Sequence, residues 1–181
     1  MKSGRNDILL LELVERLREK GSWCGETHLQ KAVYFLQELL SVPMGLEFVL
    51  YKHGPFSFEL QDKLILLRAH GLLELEPQAN GYGPKLSLSE SGQALKNRFP
   101  KTIGDQHNAF QWLTDHLGKM GVVRLERLGT ALFVTREMQG KGDEEIVARI
   151  VELKPHVSEE QARAALHEVR QMESESEAIS K

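Results

Sequence analysis

The Gly54-Pro55 pair, set between an apolar alternation and a serine-headed helix, limits what this chain can fold into more than any other feature. Proline has no amide hydrogen and steers the residue before it away from the α region, so a helix cannot run through it. Ahead of the pair, Leu46, Phe48 and Leu50, interleaved with Glu47, Val49 and Tyr51, predict a strand that the Gly-Pro must break. Behind it, Ser57 is a good N-cap, and Phe58 to His70 carries Leu60, Leu64 and Leu67 on one helical face. Gly71 suits the left-handed end of that helix. Residues 72–76 and 84–88 predict two strands around a Gly/Asn/Pro tip, Pro77 to Gly83. Ser89-Glu90-Ser91-Gly92 then heads another helix, with Ala94, Leu95 and Phe99 behind it. Helix, hairpin, capped helix is the order of a winged-helix unit.

The flanks are helical. Residues 8–20 place Leu9, Leu10, Leu13 and Leu17 at helical spacing, with Asn6 or Asp7 as the expected cap and Gly21 as the stop. Thr27-His28-Leu29-Gln30 matches a capping box, so a second helix is expected from Thr27, ended by Pro43 and Gly45. Beyond Pro100 the periodicity predicts helices over 103–119, 122–139, 143–153 and 158–172, broken at Gly121, Gly140-Lys141-Gly142 and Lys154-Pro155-His156. The expected fold class is α+β, mostly α: a winged-helix-like N-terminal unit over 1–100 with a C-terminal all-helical extension over 101–172. Residues 173–181, polar and Ser/Glu-rich, read as a flexible tail. The apolar stretch 125–134, with Gly129 and Ala131 permitting close approach, must be buried within the chain or against a second copy; the latter would make a homodimer.

Charge narrows the functions. Residues 1–100 hold 12 Lys+Arg against 12 Asp+Glu and residues 101–181 hold 11 against 14, so the expected reading head is neutral and not basic. Any affinity for double-stranded DNA must come from a local patch. The candidates are Gln61, Lys63 and Arg68 on the helix before the hairpin, Tyr82 and Lys85 on the wing, and Lys52 at the Gly-Pro turn. Glu59 and Asp62 on the same helix oppose phosphate. A winged helix used for protein contact is the competing expectation.

Catalytic signals are missing. No phosphate loop, dinucleotide fingerprint, nucleophile elbow or zincin helix occurs, so a non-enzymatic role without cofactor is expected. Cys24 and His28 give only two ligands where a zinc site wants three or four, so no metal site is expected. His53 beside Tyr51 could serve as a base, yet its better reading is local hydrogen bonding at the turn. One cysteine and no apolar run long enough to span a bilayer lead to the expectation of a cytoplasmic location and no membrane partner.

Two segments carry a family resemblance. His28-Leu29-Gln30-Lys31-Ala32-Val33-Tyr34-Phe35-Leu36-Gln37, followed by Phe48-Val49-Leu50-Tyr51-Lys52-His53-Gly54-Pro55-Phe56-Ser57, resembles the LQK-x-x-Y-x-x-Q … F-x-x-Y-x-x-GP[FY]S pattern of bacterial and archaeal YwgA-like proteins. It is more distantly similar to Panacea-domain, SocA-like antitoxins. Lys154-Pro155-His156-Val157-Ser158-Glu159-Glu160 resembles the KPH-x-SEE segment of the first group. The resemblance implies a non-enzymatic, winged-helix-related protein and, for the antitoxin branch, a cognate protein partner (a toxin or regulator) with adaptor or repressor activity. The family-like positions are Gln30, Lys31, Tyr34, Gln37, Tyr51, Gly54, Pro55 and Ser57. Gly54, Pro55 and Ser57 set a turn and a cap. Gln30, Lys31, Tyr34 and Gln37 form a polar ridge that either meets a partner or clamps the turn. The function expected is a DNA-associated or antitoxin-like regulator, with a protein-interaction module that does not read DNA as the alternative.

Overall fold

The computed structural model describes residues 2–78 and 83–179. It is mostly helical, 64%, with two small antiparallel sheets. The order is α1 (Lys2–Glu19), α2 (Glu26–Glu38), β1 (Val49–Tyr51), β2 (Gly54–Phe56), α3 (Phe58–Ala69), β3 (Leu73–Glu76), β4 (Lys85–Leu88) and α4 (Glu90–Asn97). There follow α5 (Pro100–Gly104), α6 (His107–Leu117), α7 (Val122–Glu137), α8 (Asp143–Leu153) and α9 (Glu159–Ser176).

The hairpin after α3 pairs as its alternation predicts, with Leu73 opposite Leu88 and Glu76 opposite Lys85. The Ser57 hydroxyl accepts from the Leu60 amide and the Ser89 hydroxyl from the Gly92 amide, so both predicted serine caps are in place. Gly71 ends α3 at φ 66°, in the left-handed region that glycine tolerates.

The Gly-Pro pair behaves differently from the expectation. It does not terminate the strand; it is the second strand. Tyr51 lies opposite Gly54 across the two-residue turn Lys52-His53, and Leu50 lies opposite Pro55. Gly54 adopts φ 85°, which the tight turn needs, and a two-stranded ribbon has edges where a proline without a donor is tolerated. The first half of the predicted strand, 46–48, is not in the sheet, because the Gln37 side chain takes both backbone groups of Leu46.

Other boundaries move for local reasons. Helix α1 starts at Lys2, so Asn6 lies inside it, its amide donating to the Met44 carbonyl and not capping. The N-cap of α2 is Gly25, with no side-chain hydrogen bond, and Thr27 falls within the first turn. The predicted helix over 103–119 divides into α5 and α6, with Pro100 at the first turn of α5 where its missing amide costs nothing. Helix α9 continues to Ser176, past the expected start of the tail, because Met172 and Ser176 are buried.

One apolar cluster runs from Leu9 in α1 to Met172 in α9. Helix α7 is the link: it packs on α2 and β2 as well as on α8 and α9. Leu125, Leu128, Ala131, Leu132 and Val134 are all buried, so the apolar stretch 125–134 finds its cover within the chain. Gly129 lets α7 approach β2, since a Cβ there would lie 3.1 Å from the Pro55 ring. A charged cluster completes the other side of α1. Lys96 reaches Glu12 at 2.9 Å and Glu15 at 2.6 Å, with Arg16 also on Glu12. Burial alone would raise the Glu12 carboxyl, but the Lys96 and Arg16 hydrogen bonds outweigh it and hold the group below the usual carboxylate range.

Candidate functional site

Most family-like residues converge on the β1–β2 hairpin, and they grip it from inside. The Gln30 amide donates to the Ser57 carbonyl at 3.0 Å while its carbonyl accepts the Ser57 N–H at 2.8 Å. Gln37, two helical turns on, does the same to Leu46 at 2.9 Å in each direction. The spacing of i and i+7 puts both amides on one side of α2, where they act as a surrogate strand for the extended segment beside them. Between them the Lys31 ammonium donates to the Pro55 carbonyl at 2.9 Å. Tyr34 is buried edge-on against Phe48, with ring centroids 5.0 Å apart.

Two further residues join them from the C-terminal helices. Lys154, which the sequence showed only as a helix break inside the KPH-like segment, is buried and donates to the Tyr51 carbonyl at 2.8 Å and the Lys52 carbonyl at 2.6 Å. Glu126 on α7 is the carboxylate of the group. It lies 3.6 Å from Lys154, 3.4 Å from His53 and 3.7 Å from His156. Burial pushes the Lys31 ammonium down to about 8; Glu126 pulls it back and Lys154 adds to the depression. Sequence reading missed Glu126. The available signal was a carboxylate one turn before Gly129, where α7 must approach a neighbour closely.

Buried lysines bonded to main-chain carbonyls offer no open face to a substrate. Nor do Cys24 and His28, both buried. Burial pushes the Cys24 thiol up to about 12, and Arg18 and Glu76 modify this in opposite directions. His28 is hydrogen-bonded to the Ser22 hydroxyl at 3.0 Å, and burial pushes it down to about 4, partly offset by the Leu117 backbone. Among the described residues, no three His, Cys, Asp or Glu side chains are grouped to hold a metal ion.

The outer side of the same hairpin is exposed and aromatic. Tyr51, Phe56 and Phe58 form a ring cluster with centroids 5.0 to 6.0 Å apart, and Tyr51 and Phe58 are 56% and 55% exposed. Along α3 the outward stripe continues through Asp62, Ile65 and Leu66, the last two more than half exposed. A helix with leucines buried on one side and Phe58, Ile65 and Leu66 on the other is apolar on both faces. Glu47, Glu59 and Asp62 are the exposed acids beside this surface, and a Glu59 carboxylate oxygen accepts the Glu47 amide at 3.4 Å.

The DNA-contact candidates do not form a cationic face with it. Lys63 is ion-paired to Asp7 at 2.8 Å. Lys85 sits over the Trp23 ring, 4.4 Å from its centroid. Lys52, in the β1–β2 turn, and Arg68, in the last turn of α3, are exposed, and Gln61 is half-buried. Tyr82 lies outside the described residues. No protein-family model matches the chain, and no curated protein matches it.

Proposed function

We propose that the chain is a protein-interaction module on a winged-helix-like scaffold, of the adaptor or antitoxin-like kind, and not a reader of DNA. The order α3, β3–β4, α4 supports the scaffold. One observation carries the function: the outward stripe of α3, which would face a major groove, is Phe58, Asp62, Ile65 and Leu66, edged by Glu59 and Glu47. Phosphate affinity scales with the number of cations that meet the backbone, and this stripe offers apolar area and carboxylates instead. Its complement is a partner protein whose contact surface is apolar with Lys and Arg at its rim, since a desolvated aromatic centre inside a charged edge is how protein interfaces acquire both affinity and orientation.

The test has two arms. A labelled mixed-sequence duplex titrated at low salt should show no saturable binding. In the second arm, the tagged chain recovers its partner from the native host. That same partner should be lost from Tyr51→Ala/Leu66→Ser, weakened by Glu59→Lys/Asp62→Lys and retained by Lys52→Ala/Arg68→Ala. Tight, steeply salt-dependent duplex binding that Lys52→Ala/Arg68→Ala weakens would overturn the proposal in favour of a DNA-associated regulator.

A further inference from the structure

A hollow of about 860 Å³ lies beside α3, between that helix, the β3–β4 hairpin and the first turns of α2 and α7. Ile65, Leu75, Val122 and Val123 come from three separate elements, are 51, 37, 38 and 67% exposed, and all line it. Single exposed apolar side chains are ordinary, but four converging on one concavity leave a continuous wetted apolar wall. Leu64 and Leu86, both buried, back the same hollow, and Trp23 stands at its edge.

The charges at the hollow say what kind of apolar ligand suits it. Arg68 is its one guanidinium, and among the described residues no ion pair or hydrogen bond engages that side chain. Glu26 is its one carboxylate, exposed in the first turn of α2. The two helices that begin here, α2 and α7, have glycine N-caps, Gly25 and Gly121, with no side-chain cap hydrogen bond. The partial positive charge of two uncapped helix starts adds to that of Arg68. The volume is in the range of small-molecule sites, which are mostly apolar with a few polar groups that fix orientation.

We propose that this hollow binds a small apolar carboxylate of medium chain length. Its hydrocarbon lies along Ile65, Leu75, Val122 and Val123, and its carboxylate meets Arg68. The hollow shares only Ile65 with the outward stripe of α3, and Arg68, Val122, Val123 and Leu75 take no part in the partner reading, so a ligand here is tested apart from it.

Decanoate and its neutral counterpart decanol, titrated into the full chain below their aggregation limits and read by calorimetry, decide the matter. Decanoate should saturate at one per chain and bind more tightly than decanol. Arg68→Gln should weaken decanoate about tenfold, the loss of one charge-assisted hydrogen bond, and leave decanol unchanged. Val123→Asp should weaken both ligands, and Glu26→Gln should tighten decanoate alone. All three positions are exposed, so folding is preserved and is checked by circular dichroism. Non-saturating uptake, equal affinity for the two ligands, or an Arg68→Gln variant that binds decanoate as well as the parent would overturn the proposal. So would Val123→Asp with undiminished binding.

Discussion

Replacing Lys31 by methionine should flatten the alkaline pH dependence of stability. The Lys31 side chain is 1% exposed, and its folded pKa falls from 10.5 to about 8. The folded chain therefore holds this proton less tightly than the unfolded chain. Stability rises with pH wherever the unfolded state binds more protons, here from about 8 to 10.5. At about 1.4 kcal/mol per pH unit, the gain over the whole window is about 3 kcal/mol, of which about 2 kcal/mol falls between roughly pH 7.5 and 9.5. Cys24 works in the opposite direction, because its raised pKa removes stability above 9.0. Comparing parent and variant at the same pH cancels that contribution. Urea unfolding should give a parent-minus-variant difference that grows by about 2 kcal/mol across the window. The variant itself loses the bond to the Pro55 carbonyl, at a cost of about 1–3 kcal/mol that does not change with pH. Parallel curves for the two proteins would refute the claim that Lys31 carries a desolvated charge.

Gln30→Ala should destabilise the chain by about 2–4 kcal/mol in urea unfolding, because both backbone groups of Ser57 lose their partner. Gln30→Glu should be no milder, since a carboxylate would face the Ser57 carbonyl. Thr130→Val should be neutral or stabilising by about 1 kcal/mol in thermal melts, because the buried Thr130 hydroxyl lacks a hydrogen-bond partner among the described residues. Acid should act through His28: its folded pKa is depressed to about 4, so the stability present above 6.5 is lost as pH falls towards 4. His28→Asn should abolish about 3 kcal/mol of that decline, measured as the parent-minus-variant difference in urea.

Local chemistry made much of the architecture legible. Ser57 and Ser89 announce their helices because a side-chain oxygen is needed where amides are unpaired, and the alternation of 72–76 and 84–88 has no helical solution. The Gly-Pro turn was misread because proline's effect on a strand depends on whether its amide would have had a partner, which is a tertiary matter. The clamp was half legible. The i, i+7 spacing of Gln30 and Gln37 showed a ridge on α2, but not what it held. Glu126 and Lys154 were invisible in their roles, since they meet the hairpin only after a separation in sequence that no local pattern spans. The surface of α3 was only partly legible for a related reason. A count of cations on the helix cannot reveal that Asp7 already occupies Lys63.

The hairpin turn is tied to Lys31 on one side and to Lys154 on the other, more than a hundred positions further along the chain. A fragment ending near residue 100 would therefore present the Pro55 ring and the apolar side of α2 to water, and would be prone to clumping in place of working as a portable module. Anyone dissecting the molecule will learn more from point changes on its outer skin than from dividing it in two.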